Sequence, residues 1–315
     1  MPVRASDTTT LPRLLKARGF KPPEQFKALV ISLGRPGRNK ALAPPRVFSY
    51  GSTATDRENW WPASTVKLYA AIAALEVTHE KGLRPTARAT FKYAEGERKG
   101  RISGLVHMAL VPSNNLAFDR LVEIVGAARL NDVFFTPAKG FTRTVMQRSY
   151  FGRVRLEPSG VGTNRHSPAI TLSDGRKSVD LPERNPTTAW DCPDEGNCTT
   201  LIDLAEALRR VMLHERLPAS QRFALGPAEL KVLRRALSHR KKRGNGVVDG
   251  LAKGYGKGLE FAHKPGYSRK WFSDAVFARD TRSGRAWLVA MAGYPGRGAL
   301  DKAAQHVGAL LRRLR

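Results

Sequence analysis

Ser64, Thr65, Val66 and Lys67 are the residues whose types and spacing most directly promise covalent chemistry. A serine hydroxyl is a weak nucleophile until a neighbouring base takes its proton. Residues i and i+3 of a helix share a face, so a helix here puts the Ser64 hydroxyl and the Lys67 amine one turn apart. Burial penalises the ammonium form, which lowers the pKa of an enclosed lysine and makes its neutral amine a proton acceptor. A serine at a helix N-terminus also finds free N–H groups and a favourable dipole for an oxyanion. The plainer alternatives are an N-cap for Ser64 and a surface position for Lys67. An unpaired lysine in a core is expensive, which counts against the second. Ser238-His239-Arg240-Lys241 repeats the spacing, but in a polar, highly charged stretch.

Two further groups fall where such a site would need them. Ser113-Asn114-Asn115 follows Val111-Pro112 and opens a helix; taken alone, it reads as helix capping. Lys264-Pro265-Gly266 ends a strand; taken alone it reads as a turn, and Lys242-Arg243-Gly244 matches it as well.

The positioning elements follow from periodicity. STVKLYAAIAALEVTH, Ser64 to His79, is apolar on nearly every side and predicts an enclosed helix, preceded by Pro62 and closed by Gly82. Phe26–Leu33 and Arg46–Tyr50 read as strands. Asn115–Val125 and Ala127–Phe135 read as helices. Residues 136–198 are irregular. Thr199–His214 is an amphipathic helix capped by Thr, and Pro227–Ser238 is another, with Pro in its first turn. Gly254-Tyr255-Gly256-Lys257-Gly258 is a loop before a strand. Leu259–Lys264, Phe272–Arg279 and Ala286–Gly293 are strands, and Leu300–Leu314 is a closing helix.

The expected fold is therefore α+β. One antiparallel sheet is built from N- and C-terminal strands and flanked by helices, with an all-α subdomain beside it. Residues 1–24 form an extension with a short helix, Leu11–Arg18. Residues 25–315 form one catalytic domain, divided into a sheet part (25–63 and 215–315) and a helical part (64–214).

SxxK, then SxN about fifty residues on, then K-[TS]-G on a late strand is the ordered signature of penicillin-recognising serine enzymes. The chain resembles class A β-lactamases and their D,D-peptidase relatives. WWPASTVKLYAAIAALE is similar to the family's nucleophile segment, and VPSNNLAFDRLVEIVGAARLNDVF to its SxN segment and following helix. The resemblance implies a serine hydrolase that works through an acyl-enzyme on amide or ester compounds, with peptidoglycan peptides or β-lactams as substrates. It implies Ser64 as nucleophile, Lys67 as its base and Ser113 as proton relay to the leaving group. It further implies Asn115 on the substrate amide, Lys264 near the substrate carboxylate, and an oxyanion hole from the N–H groups of Ser64 and Tyr267, with Gly266 before the latter.

Two departures qualify this. Pro265 stands where the family carries Thr or Ser, so a hydroxyl is lost, with Ser268 or Arg269 as compensation. Tyr150 stands where class A β-lactamases carry the Glu that activates the deacylating water, and Glu183 is the nearby substitute. Peptidase or esterase activity, or trapping of β-lactams, is therefore expected ahead of efficient β-lactam hydrolysis. The alternatives are a catalytically degenerate binding protein on the same fold, or a basic protein that binds an anionic polymer.

The net charge of +27 favours anionic partners. The basic residues are mostly spread out; the tightest clusters are His239 to Arg243 and Arg312 to Arg315. No zinc-finger, RRM or KH pattern appears, so the charge reads as solubilising rather than as a specific nucleic-acid site. No HExxH, GxSxG or P-loop occurs, and no metal or cofactor is expected. Cys192 and Cys198 could close a short disulfide or remain as inert thiols. No run of 18 apolar residues exists, so no membrane span is expected, and the chain is read as a monomer. The opening residues show no secretory h-region, while the resemblance implies a periplasmic or secreted location.

Overall fold

The computed structural model describes residues 7–34, 44–51, 62–141, 143–147, 150, 155–156, 162–163, 166–188, 190–192, 196–239, 246–268, 271–294 and 296–314. Its helices are α1 (Thr10–Lys16), α2 (Lys67–Glu80), α3 (Ile102–Leu110), α4 (Asn115–Val125), α5 (Leu201–Met212), α6 (Pro227–Leu237), α7 (Gly246–Tyr255) and α8 (Gly296–Leu310). Its strands begin with β1 (Lys27–Ser32), β2 (Arg46–Tyr50), β3 (Arg88–Tyr93), β4 (Gly96–Arg101), β5 (Val145–Met146), β6 (Arg155–Leu156) and β7 (Gly162–Thr163). They continue with β8 (Ala169–Ser173), β9 (Ser178–Leu181), β10 (Asn197–Cys198), β11 (Leu259–Ser268), β12 (Trp271–Asp280) and β13 (Ala286–Gly293). The chain divides into two compact units, one of residues 1–65, 199–221 and 238–315, the other of residues 66–198 and 222–237.

The first unit is built on a five-stranded antiparallel sheet in the order β11-β12-β13-β1-β2. The two chain ends meet at its centre, where Val30 of β1 faces Val289 of β13. Every residue of β1 and β13 is buried, as strands covered on both faces require. On one face Val30, Trp287, Val289 and Met291 join a core with Leu11, Leu251, Val307 and Leu310 of the surrounding helices. Burying a side chain of that size contributes about 1.5–3 kcal/mol. Against the strands β1, β12 and β13 packs α5, whose N-cap Thr200 accepts a hydrogen bond from the Asp203 amide at 3.0 Å. Expected in the helical part, this helix belongs instead to the first unit, where its apolar stripe covers the sheet.

Helix α7 occupies part of the stretch read as a loop, which begins only at Gly256. Its glycines hid it, and they are what it needs. A Cβ on Gly250 would lie 2.3 Å from the Asp301 carbonyl oxygen, and one on Gly254 would lie 1.9 Å from that of Gln305. Gly308 of α8 returns the contact, 2.4 Å from the Leu251 carbonyl oxygen. The two backbones touch where side chains would hold them apart.

The second unit packs α2 with α3, α4 and α6. Lys67 to Thr78 of α2 are all buried, in keeping with a sequence apolar on all sides. The expectation of an all-α subdomain is corrected here, because this unit carries a four-stranded antiparallel sheet, β4-β3-β8-β9. β3 alternates exposed and buried residues, but β4, GERKGR, is almost wholly exposed and has no apolar face to betray it. Arg129–Phe134 forms a π-helical turn within the span expected as a helix. Cys192 and Cys198 are joined, with their Cα atoms 5.9 Å apart.

Candidate active site

In the first unit, Ser64 lies in a 3-10 turn, Ala63–Val66, which runs directly into α2. The α-helix thus begins at Lys67 rather than at Ser64, with Val66 as an N-cap that supplies no side-chain bond. Ser64 is not that cap. The turn is tied to itself: the Thr65 amide and hydroxyl both donate to the Pro62 carbonyl, at 3.0 and 2.6 Å. Ala63 has φ +44°, a left-handed conformation that costs a non-glycine residue about 1–2 kcal/mol. Backbone strain immediately before a candidate nucleophile is the kind that accumulates at functional sites.

Strand β11 comes up against this turn. Lys264 and Gly266 are buried and Tyr267 is exposed. A Cβ on Gly266 would lie 2.6 Å from the Pro62 carbonyl oxygen and 3.0 Å from both the Thr65 nitrogen and Ser273 Oγ. Only glycine permits that approach. Ser273, opposite Gly266 on β12, donates to the Pro62 carbonyl at 3.4 Å. The Lys264 ammonium donates to the Pro265 carbonyl at 3.0 Å. Ser64, Lys264, Gly266 and Tyr267 thus share one unit and, for Gly266, one close backbone contact. Arg269, offered as compensation for Pro265, lies outside the described residues.

In the second unit the Lys67 ammonium donates to Asn115 Oδ1 at 2.6 Å, to the Ser113 carbonyl at 2.5 Å and, more weakly, to Ser113 Oγ at 3.3 Å. The Ser-Asn-Asn triplet divides its labour. Asn114 takes the capping task, its side chain accepting from the Ala117 amide at 2.9 Å, and the residues on either side of it reach the lysine. Ser113 adopts φ +61°, which turns its carbonyl and hydroxyl toward one cation.

Phe118 and Tyr150 complete the surroundings, with ring centroids 6.0 and 5.7 Å from the Lys67 nitrogen. The rings lie 4.8 Å apart. The Tyr150 amide donates to Asp119 Oδ1 at 2.8 Å. Burial pushes the Lys67 pKa down to about 8, with the Asp119 charge opposing the shift. Burial wins, and a sizeable neutral fraction exists near neutral pH.

Tyr150 stands out in the sequence, whereas Phe118 and Asp119 emerge only with the structure. The signal was available: Asn115, Phe118 and Asp119 are spaced i, i+3, i+4 on α4, so a carboxylate sits on the helix's buried face. Glu183 does not join this cluster; its carboxylate meets His166 Nε2 at 2.9 Å. Among the described residues no group of three or more His, Cys, Asp or Glu is arranged to hold a metal ion. No described helix is long and apolar enough to cross a membrane.

A family model described as the beta-lactamase enzyme family matches residues 53–313. No curated protein matches the chain in sequence. Among solved structures, a mutant of PBP-A, solved as an acyl-enzyme complex with penicillin G, aligns with a TM-score of 0.61 at 15% identity, covering 99% of this chain and 100% of that one. A beta-lactamase from Sphaerobacter thermophilus aligns with a TM-score of 0.60 at 18% identity, covering 96% of each chain. A representative of class A beta-lactamases from Bacteroides cellulosilyticus aligns with a TM-score of 0.59 at 12% identity, covering 99% of this chain and 98% of that one. At such identities the likeness speaks for the fold.

Proposed function

Because the chain belongs to the beta-lactamase enzyme family, we propose that it is a serine hydrolase that acylates Ser64 from amide or ester substrates. The carrying observation is the setting of Lys67: enclosed, lowered to a pKa of about 8, and held by Asn115 and Ser113. In this reading the neutral Lys67 amine takes the Ser64 proton as the hydroxyl oxygen attacks the substrate carbonyl. Ser113 passes a proton to the leaving group, and Asn115 binds the substrate amide. Lys264 attracts the substrate carboxylate, and the N–H groups of Ser64 and Tyr267 hold the oxyanion. The Gly266 contact with the Ser64 turn supports that last assignment.

Tyr150 sets the fate of the acyl-enzyme. A phenol packed on Phe118 and over Lys67 offers no carboxylate to activate water. Deacylation is slow, and the natural substrates are peptidoglycan-type peptides rather than β-lactams turned over at speed. The Cys192–Cys198 bond supports a location outside the cytoplasm, where disulfides persist. Tyr150 together with Pro265 favours one second reading, a degenerate binding protein on the same fold.

Intact-mass spectrometry after incubation with a fluorescent penicillin separates the two. A long-lived adduct of one penicilloyl mass, lost in Ser64→Ala, is expected. A wild-type protein that stays unmodified by the penicillin and by a fluorophosphonate would leave the binding reading in its place.

A further inference from the structure

Arg88 and Arg101 face each other directly across β3 and β4, and both are exposed. Like charges opposed in a strand pair weaken it, so folding gains nothing from this arrangement. The next residue in the same row is Ser173 of β8, paired with Arg88 on its other side. Just beyond it, the turn from β8 to β9 presents exposed Arg176 and Lys177. Lys177 reaches back toward the end of α2, where its ammonium lies 3.4 Å from where a Cβ on Gly82 would stand, next to exposed Lys81. Sequence positions almost a hundred residues apart are thus gathered at one end of the second unit's sheet.

The acidic groups nearby are already taken. Asp174 Oδ2 accepts from Arg84 Nε at 3.2 Å, and its Oδ1 accepts from the Arg176 and Lys177 amides at 3.1 and 3.2 Å. Glu80 is paired with Arg129, and Asp180 accepts from the Thr171 hydroxyl. Lys81, Arg88, Arg101, Arg176 and Lys177 therefore have no carboxylate partner among the described residues. Among the described residues no exposed aromatic ring interleaves with them, so the patch shows none of the stacking platforms with which proteins hold single-stranded nucleic acid. It also offers a sheet end rather than a helix for a major groove.

We propose that this sheet end is a docking surface for a linear phosphate polymer without bases, recognised by its backbone charge. The proposal is independent of the hydrolase reading, because none of its residues belongs to the candidate active site.

The test is calorimetric titration of the full chain with long-chain inorganic polyphosphate at several salt concentrations. With five cations engaged, affinity should fall roughly 100-fold between about 50 and 200 mM NaCl. The variant Arg88→Ala/Arg101→Ala/Arg176→Ala/Lys177→Ala should bind at least tenfold more weakly at about 100 mM salt, with a salt slope shallower by about 3. The charge-matched control Lys16→Ala/Arg18→Ala/Lys231→Ala/Arg235→Ala should keep both affinity and slope. Should the fourfold variant fail to fold, Arg176→Ala/Lys177→Ala, confined to the turn, should still weaken binding severalfold. Equal losses in variant and control would overturn the proposal in favour of diffuse charge. Tighter binding of a DNA duplex of equal phosphate count, lost in the same variant, would overturn the choice of polymer.

Discussion

At the scale of single residues, Lys67 is a contest between solvation and contact. Its burial favours the neutral amine, while the Ser113 carbonyl, Asn115 Oδ1, two ring faces and the Asp119 carboxylate all favour the ammonium. With a pKa of about 8, about one lysine in ten is neutral at pH 7. On the proposed reading the neutral form is the base. The acylation rate by a penicillin should therefore rise with pH, with a midpoint near 8, and level off above it. Asp119→Asn keeps an acceptor for the Tyr150 amide but removes the charge that raises the lysine's pKa, so its midpoint should move to lower pH. Stopped-flow acylation across the alkaline range checks this, and an unmoved midpoint would take Lys67 out of the role. Ser64 with Lys67, and Ser113 with Asn115, stand out in the sequence because each pair is a short local spacing; the fold then brings the second pair to Lys67. Phe118 and Asp119 are less legible, since a ring and a carboxylate on a helix read as core and solubility until the helix's buried face is known.

At the scale of elements, glycines decide how close the parts come. A Cβ on Gly266 meets the backbone of the turn that carries Ser64, and one on Gly254 meets the backbone of α8. Both clashes are with main chain, which cannot swing aside as a side-chain tip can. The two substitutions should nevertheless differ in what they spoil. Gly266→Ala displaces β11 from the Ser64 turn, and acylation should fall at least tenfold in a protein that still melts cooperatively. Gly254→Ala forces two helices apart in the core of the first unit and should cost about 3 kcal/mol, leaving the acylation rate of the folded fraction unchanged. Paired thermal melts and acylation kinetics separate the outcomes, and equal kinetic losses in both would show that the Gly266 contact is merely structural. Glycine also hides elements from the sequence pattern. Strands β1, β2, β12 and β13 and helices α4, α5 and α6 declare themselves by apolar pattern. α7 is glycine-rich and looks like a loop. β4 is all charge and glycine, and its strand character comes only from pairing with β3.

At the scale of the whole molecule, charge is the dominant quantity. A chain with 54 basic and 27 acidic side chains holds itself together against its own field, and compaction brings those charges nearer than the unfolded chain does. Several of the ion pairs are exposed, such as Arg279 with Glu260 and Lys99 with Glu97. Pairs of that kind contribute little, about 0–1 kcal/mol each. The repulsive remainder is therefore the larger salt-sensitive term, and it includes Arg88 facing Arg101. Screening acts on both, but it removes more repulsion than attraction when one sign outnumbers the other two to one. The Debye length shrinks from about 30 Å at 0.01 M salt to about 8 Å at 0.15 M. The melting temperature should accordingly rise by several degrees over that range in sodium chloride. Sodium sulfate adds ion exclusion to screening, so the chloride series is the clean one. A melting temperature that falls with chloride would mean that the exposed pairs outweigh the repulsion, and that the excess cations sit too far apart to feel each other.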